Sequence, residues 1–124
     1  MVKLVFCLRR LGHLSRQEFQ RYWHETHAPL VRRHAAALGI RRYVQVHTVD
    51  HELNDALQAS RGAPEPYDGV AELWWGSAED LAAAMASTDG REAATALHED
   101  EQRFIDHARS PIWIAEERPV IADV

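Results

Sequence analysis

Val2-Lys3-Leu4-Val5-Phe6-Cys7-Leu8 is a short run rich in β-branched and aromatic residues, with apolar side chains at both odd and even positions. Successive side chains of a strand point to opposite faces, so this pattern predicts a strand covered on both sides. Three more stretches have strand composition: Tyr43-Val44-Gln45-Val46-His47-Thr48-Val49, residues 70–75 and residues 112–115. In the second of the four, Tyr43, Gln45 and His47 share one face. Between the first two strands, Ser15 with Glu18 three residues on forms a capping box. Phe19, Tyr22, Trp23, Thr26, His27, Leu30, Val31, His34 and Leu38 then recur at helical spacing. Pro29 predicts a kink or restart over 26–29, and Gly39 closes the helix.

The connection 50–69 has a candidate short helix at 52–60 and a breaker cluster, Gly62-Ala63-Pro64-Glu65-Pro66; a lid and a surface insertion both fit it. Gly76-Ser77 leads into an Ala-rich helix that stops near Thr88. Asp89 with Glu92 predicts a second helical segment beginning at Asp89, in which Leu97, Glu101, Phe104 and Ala108 share a stripe up to Pro111. The tail 116–124, with Pro119 in it, reads as an edge or arm.

The order β-α-β-β-α-β predicts an α+β, ferredoxin-like fold: one four-stranded antiparallel sheet with both helical units on one side. Helices cover only one face, yet the first strand is apolar on both, and Trp74 or Trp75 and Trp113 sit on opposing faces. A second copy packed face to face across a two-fold axis covers the other face, so a homodimer is expected.

The 124 residues suffice for one domain, spanning 1–124 with a variable loop at 50–66, and for one core, because folding at this length buries roughly 65–70% of the chain's surface. Fourteen Lys and Arg against nineteen Asp and Glu give a formal charge of -5, which disfavours nucleic acid and anionic lipid as partners. No apolar run approaches membrane-spanning length, and the N-terminus lacks signal-peptide features. With Cys7 as the single cysteine, a cytoplasmic setting is expected. Eight histidines and four tryptophans suit a small-molecule pocket, since imidazole changes charge near neutral pH and indole forms a broad apolar wall.

The stretch Leu14-Ser15-Arg16-Gln17-Glu18-Phe19-Gln20-Arg21-Tyr22-Trp23 followed by His27-Ala28-Pro29-Leu30 resembles the opening signature of the EthD family, within the dimeric α+β barrel superfamily. Arg41–His47, Tyr67–Trp75, and Phe104-Ile105-Asp106 with Ser110-Pro111 fall in the family's order. The likeness spans the chain apart from 50–66, where length and composition depart from the family pattern. The resemblance implies a shared pocket more than a shared reaction. EthD proteins are attached to ether and aromatic degradation as accessory proteins and to cyclase or dehydratase-like steps on polyketides. The wider superfamily includes aromatic polyketide cyclases, quinone-forming monooxygenases and lactone isomerases. Most of these work without a metal or organic cofactor, moving protons with a His, Asp or Tyr.

His47 is the candidate base, able as a neutral imidazole to take a proton from a carbon next to a carbonyl; the competing reading is a satisfied core histidine. His27 and Tyr22 are candidate proton donors or oxyanion stabilisers, although His27 also fits a structural role beside Pro29. Trp23, Tyr43, Tyr67, Asp68, Trp74 and Phe104 are candidate substrate-binding side chains. Asp68 is further placed to orient His47 or His27, and Asp68-Gly69 is equally an ordinary turn. The pairs His24/His27 and His47/His51 raise a metal reading. His24-Glu25-Thr26-His27 is one residue short of the zinc-protease pattern, so no metal is expected, and the resemblance implies no cofactor. The predicted function is acid–base catalysis of cyclisation, dehydration or isomerisation of a hydrophobic aromatic or polyketide-like carbonyl compound in a pocket between sheet and helices. The alternative is a non-catalytic binding or accessory protein that uses the same pocket.

Overall fold

The computed structural model describes residues 1–122. Its four strands are β1 (Val2–Leu8), β2 (Arg42–His47), β3 (Gly69–Trp75) and β4 (Ile112–Ala115), ordered β2-β3-β1-β4 with every neighbouring pair antiparallel. This is the predicted ferredoxin-like sheet. β1 lies in its interior, between β3 and β4. Leu4, Phe6 and Leu8 face the helices with Leu73 and Ala71 of β3, and they meet Phe19, Trp23, Phe104 and Ile105 in the main core.

Helix α1 (Arg16–Tyr22) begins at the predicted capping box: the Ser15 side chain accepts from the Glu18 N–H, and the Glu18 carboxylate accepts from the Ser15 N–H. The predicted break takes the form of a π turn over Trp23–His27, where the Ala28 N–H bonds the Trp23 carbonyl five residues back. The widened turn puts Pro29 in the first turn of α2 (Ala28–Leu38), a position where proline is tolerated. Gly39, in the left-handed region at φ 69°, closes α2, and the Trp75 indole N–H donates to the Leu38 carbonyl at 2.8 Å.

β2 ends at His47 rather than Val49, because the chain turns away after the Thr48 N–H bonds the Asp68 carbonyl. The variable segment 50–66 holds a helix, α3 (Glu52–Arg61), capped by the His51 ring; none of its residues is buried. The helical segments before β4 are α4 (Ala78–Ala86) and α5 (Thr88–Glu101). Ser87, not Asp89, starts α5: its hydroxyl accepts from the Gly90 N–H and donates to the Ala84 carbonyl, serving both helix ends at once. α5 also stops well short of Pro111. Phe104 and Ile105 are both buried beyond the helix end, where Ile105 pairs with Arg10 in an isolated bridge. Trp74 and Trp113 share the face away from the helices, and Trp75 points the other way. The last two residues of the expected arm, 123 and 124, lie outside the described residues. Among the described residues no helix is long and apolar enough to cross a membrane.

Candidate functional site

β2 pairs with β3 so that Tyr43, Gln45 and His47 stand opposite Leu73, Ala71 and Gly69. The three side chains therefore point toward the helices. Gly69 leaves room beside His47, and the indole of Trp23 fills it. A Cβ at Gly69 would lie 2.5 Å from Trp23 Cζ3 and 2.9 Å from the Val46 carbonyl oxygen. His47 stacks on that indole with ring centroids 4.5 Å apart.

Gln45 decides which nitrogen of His47 carries the proton. Its amide group lies 2.9 Å from the Trp23 carbonyl oxygen, which only accepts, so the amide nitrogen faces that oxygen and Oε1 faces the other way. Gln45 Oε1 is 2.8 Å from His47 Nε2, which must then donate, leaving Nδ1 of the neutral ring with a free lone pair. Burial, and next the nearby His24, lower the His47 pKa, so the ring is neutral at pH 7. His24 reaches the same Gln45 oxygen through Nδ1 at 3.3 Å. Replacing His24 by alanine removes its share of the repulsion that disfavours the imidazolium. The His47 titration, followed by NMR of its ring protons, is expected to move to higher pH while remaining below the ordinary histidine value, because the burial contribution persists. A shift to lower pH would contradict this electrostatic account.

The Tyr43 hydroxyl accepts from Gln45 Nε2 at 2.8 Å, which leaves its own proton available. Burial is the main influence that raises the Tyr43 pKa, so the group remains a donor. His24, Ala28, Arg32, Tyr43, Gln45 and His47 line a pocket of about 420 Å³ between the helices and β2, which falls within the range of small-molecule sites. Sequence reasoning placed His47 and Tyr43 on this face but missed Arg32, whose position one helical turn beyond Ala28 becomes informative only once α2 is docked on the sheet.

His27 and Tyr22 stand elsewhere. Both bond one carboxylate, Asp100 of α5: His27 Nδ1 at 2.7 Å and the Tyr22 hydroxyl at 2.6 Å. The Nδ1 bond leaves Nε2 of a neutral His27 as the acceptor nitrogen. His27 is 5% exposed and lines an interior cavity of about 50 Å³ together with Trp23, Tyr43 and Glu101. Tyr43 is thus common to the pocket and the cavity. Asp100 escaped the sequence reading; its signal was an acid three residues after Leu97, on the stripe that the helix turns inward.

The other candidates are drawn into structure. Asp68 orients neither histidine. It is buried and accepts from the Arg10 N–H at 2.8 Å, the Arg10 guanidinium at 2.5 Å and Arg16 Nε at 3.1 Å. Burial works to raise its pKa, and these bonds together more than offset that and lower it. The ion cluster ties the end of β1 and the start of α1 to the start of β3. Tyr67 lies beneath the Arg9 guanidinium, 4.3 Å from ring centroid to Cζ. Trp74 is on the far face of the sheet, between Lys3 and Arg42, with its indole N–H donating to Glu117. Phe104 is fully buried against Phe19, Tyr22 and His27. Among the described residues, no three His, Cys, Asp or Glu side chains are grouped to hold a metal ion: His24 turns to Gln45 and His27 to Asp100.

Solved structures share this fold. An EthD family protein of Bacillus halodurans is 23% identical at a TM-score of 0.62, the match covering 95% of this chain and 99% of that one. A protein of Arabidopsis thaliana is 17% identical at a TM-score of 0.58, with 98% and 100% covered. SnoaB of Streptomyces nogalater, a cofactor-independent oxygenase, is 17% identical at a TM-score of 0.52, with 97% and 95% covered. At these identities the likeness establishes the fold alone. No curated protein matches the sequence. Residues 12–108 match the EthD domain, and the chain belongs to the EthD family.

Proposed function

We propose that the protein is a small-molecule enzyme acting by acid–base chemistry on an aromatic or polyketide-like carbonyl compound. The observation that carries this reading is the tautomer of His47: Gln45 holds its Nε2–H and leaves Nδ1 as a base in a pocket whose adjacent group, Tyr43, keeps a proton to donate. Cyclisation, dehydration and isomerisation of such compounds share a first step. Nδ1 takes the proton from a carbon beside the carbonyl, the C–H electron pair moves into an enolate, and the Tyr43 hydroxyl bonds the enolate oxygen. His27 lines the cavity that Tyr43 also lines and, with Tyr22 bonded to the same Asp100, belongs to a second proton-holding group. The description of SnoaB as a cofactor-independent oxygenase supports a reading in which substrate acidity supplies the reactivity.

The test is hydrogen–deuterium exchange at carbon in a panel of aryl ketones dissolved in deuterated water, followed by proton NMR. The protein is expected to raise the exchange rate above the protein-free rate for compounds that fit the pocket. Saturable binding with no exchange and no product would instead favour a carrier of the same ligands.

The proposal includes a homodimer. Val5, Cys7, Val44, Val46, Val70, Trp74 and Trp113 line the sheet face away from the helices, interrupted by the ion pair Lys3 with Glu72 at 2.5 Å and by Arg42 beside Trp74. Val46 and Trp113 are 44% and 47% exposed on it. A largely apolar face of this kind is expected to be covered by a second copy. Light scattering is expected to give twice the chain mass, and Trp113→Glu to shift the protein toward the monomer; a monomeric wild type would overturn the dimer. A cytoplasmic setting belongs to the same proposal. There Cys7, whose thiol pKa is raised by burial and then by Glu72, stays protonated and inert.

A further inference from the structure

The lining of the His47 pocket contains one guanidinium, two imidazoles and no carboxylate, in a chain that has 19 acidic residues against 14 basic ones. Arg10 and Arg16 pair with Asp68 and Lys3 with Glu72, while Arg41 and Arg42 at the sheet form no ion pair among the described residues and lie outside the pocket lining. Arg32 is exposed at the pocket and, among the described residues, forms no ion pair. The pocket floor beside it consists of a phenol, an amide and an imidazole, all planar groups already bonded to one another. Burial dominates the environment of the Tyr43 hydroxyl; Glu101 adds to its effect, and Arg32, the smaller of the two charges' influences, opposes it.

We infer that the substrate is an acid, a planar aromatic or polyketide-like carbonyl compound whose carboxylate is bound by Arg32 through two parallel N–H bonds. The inference rests on the pocket reading above and narrows it to anionic substrates. It also supplies an electrostatic role. Proton transfer from carbon to His47 Nδ1 turns a monoanion into a dianion, and a fixed guanidinium offsets the second charge as it develops.

The experiment compares naphthoate with naphthamide, which have the same shape and differ in charge. Binding is measured by calorimetry and by the shift of the His47 ring signals in the wild type, Arg32→Gln and Arg32→Lys. The wild type is expected to bind naphthoate about 10–100-fold more tightly than naphthamide, the scale of a charge-assisted pair. Arg32→Gln is expected to abolish the preference, and Arg32→Lys to keep part of it, since it retains the charge without the fork. Arg32 is exposed, so the variants are expected to fold. Equal binding of the two compounds to the wild type, or a preference that survives in Arg32→Gln, would overturn the inference while the His47 shift left the pocket reading standing. No shift of His47 with either compound would overturn both.

Discussion

In the His47→Ala variant, carbon-bound hydrogen exchange in the aryl ketone that the wild type handles best is expected to fall by about 10²–10⁴-fold, the usual contribution of a positioned general base. The fold is expected to survive. His47 is half-buried near the end of β2, and its side chain contributes stacking on Trp23 and a bond to Gln45 but no backbone support. The unfolding midpoint in urea should therefore correspond to a loss of about 1 kcal/mol or less. Added imidazole is expected to restore part of the rate, since the vacated space lies against the pocket. A variant that exchanges at the wild-type rate would end the assignment of His47 as the base. A variant that loses both activity and fold would show the residue to be structural, and Gln45→Leu would then separate the two roles by altering the tautomer while keeping the ring.

Gly69→Ala is expected to cost about 3 kcal/mol in urea unfolding, toward the upper end of overpacking effects, and to depress exchange as well. The added methyl would meet Trp23 on one side and the Val46 carbonyl of the neighbouring strand on the other. Neither can retreat: the carbonyl belongs to a paired strand, and the indole is 1% exposed and packed against Phe19. Displacing Trp23 removes the surface on which His47 stacks and moves the carbonyl that orients Gln45. The control is Gly12→Ala, where a Cβ meets nothing within 4 Å and stability should scarcely change. If the two variants proved equally mild, Trp23 would not be the fixed support that this account makes it.

The site was partly legible in the residues. Strand alternation alone placed Tyr43, Gln45 and His47 on one face, and helical spacing put Trp23 and His27 on an inward stripe. The functional pairing of His27 was not legible, because its partner Asp100 lies 73 residues away on another helix. Nor was the fate of Asp68: a turn-forming Asp-Gly looks the same whether its carboxylate faces a histidine or, as here, two arginines that arrive from the end of β1 and the start of α1.

Local chemistry determined the element order, the capping box at Ser15, the break around Pro29 and a first strand apolar at both parities, because these depend on neighbours within a few residues and on periodicities of two and 3.6. Tertiary structure decided the rest. The chain leaves α5 before Phe104 and pairs Ile105 with Arg10 from a distant segment, and the placement of Trp74 away from the pocket follows from strand register. The proton position on His47 depends on an amide oriented by a carbonyl 22 residues distant, and the Arg32 charge gains its place only where α2 meets the sheet. Such features rest on distances between segments, which no local pattern encodes.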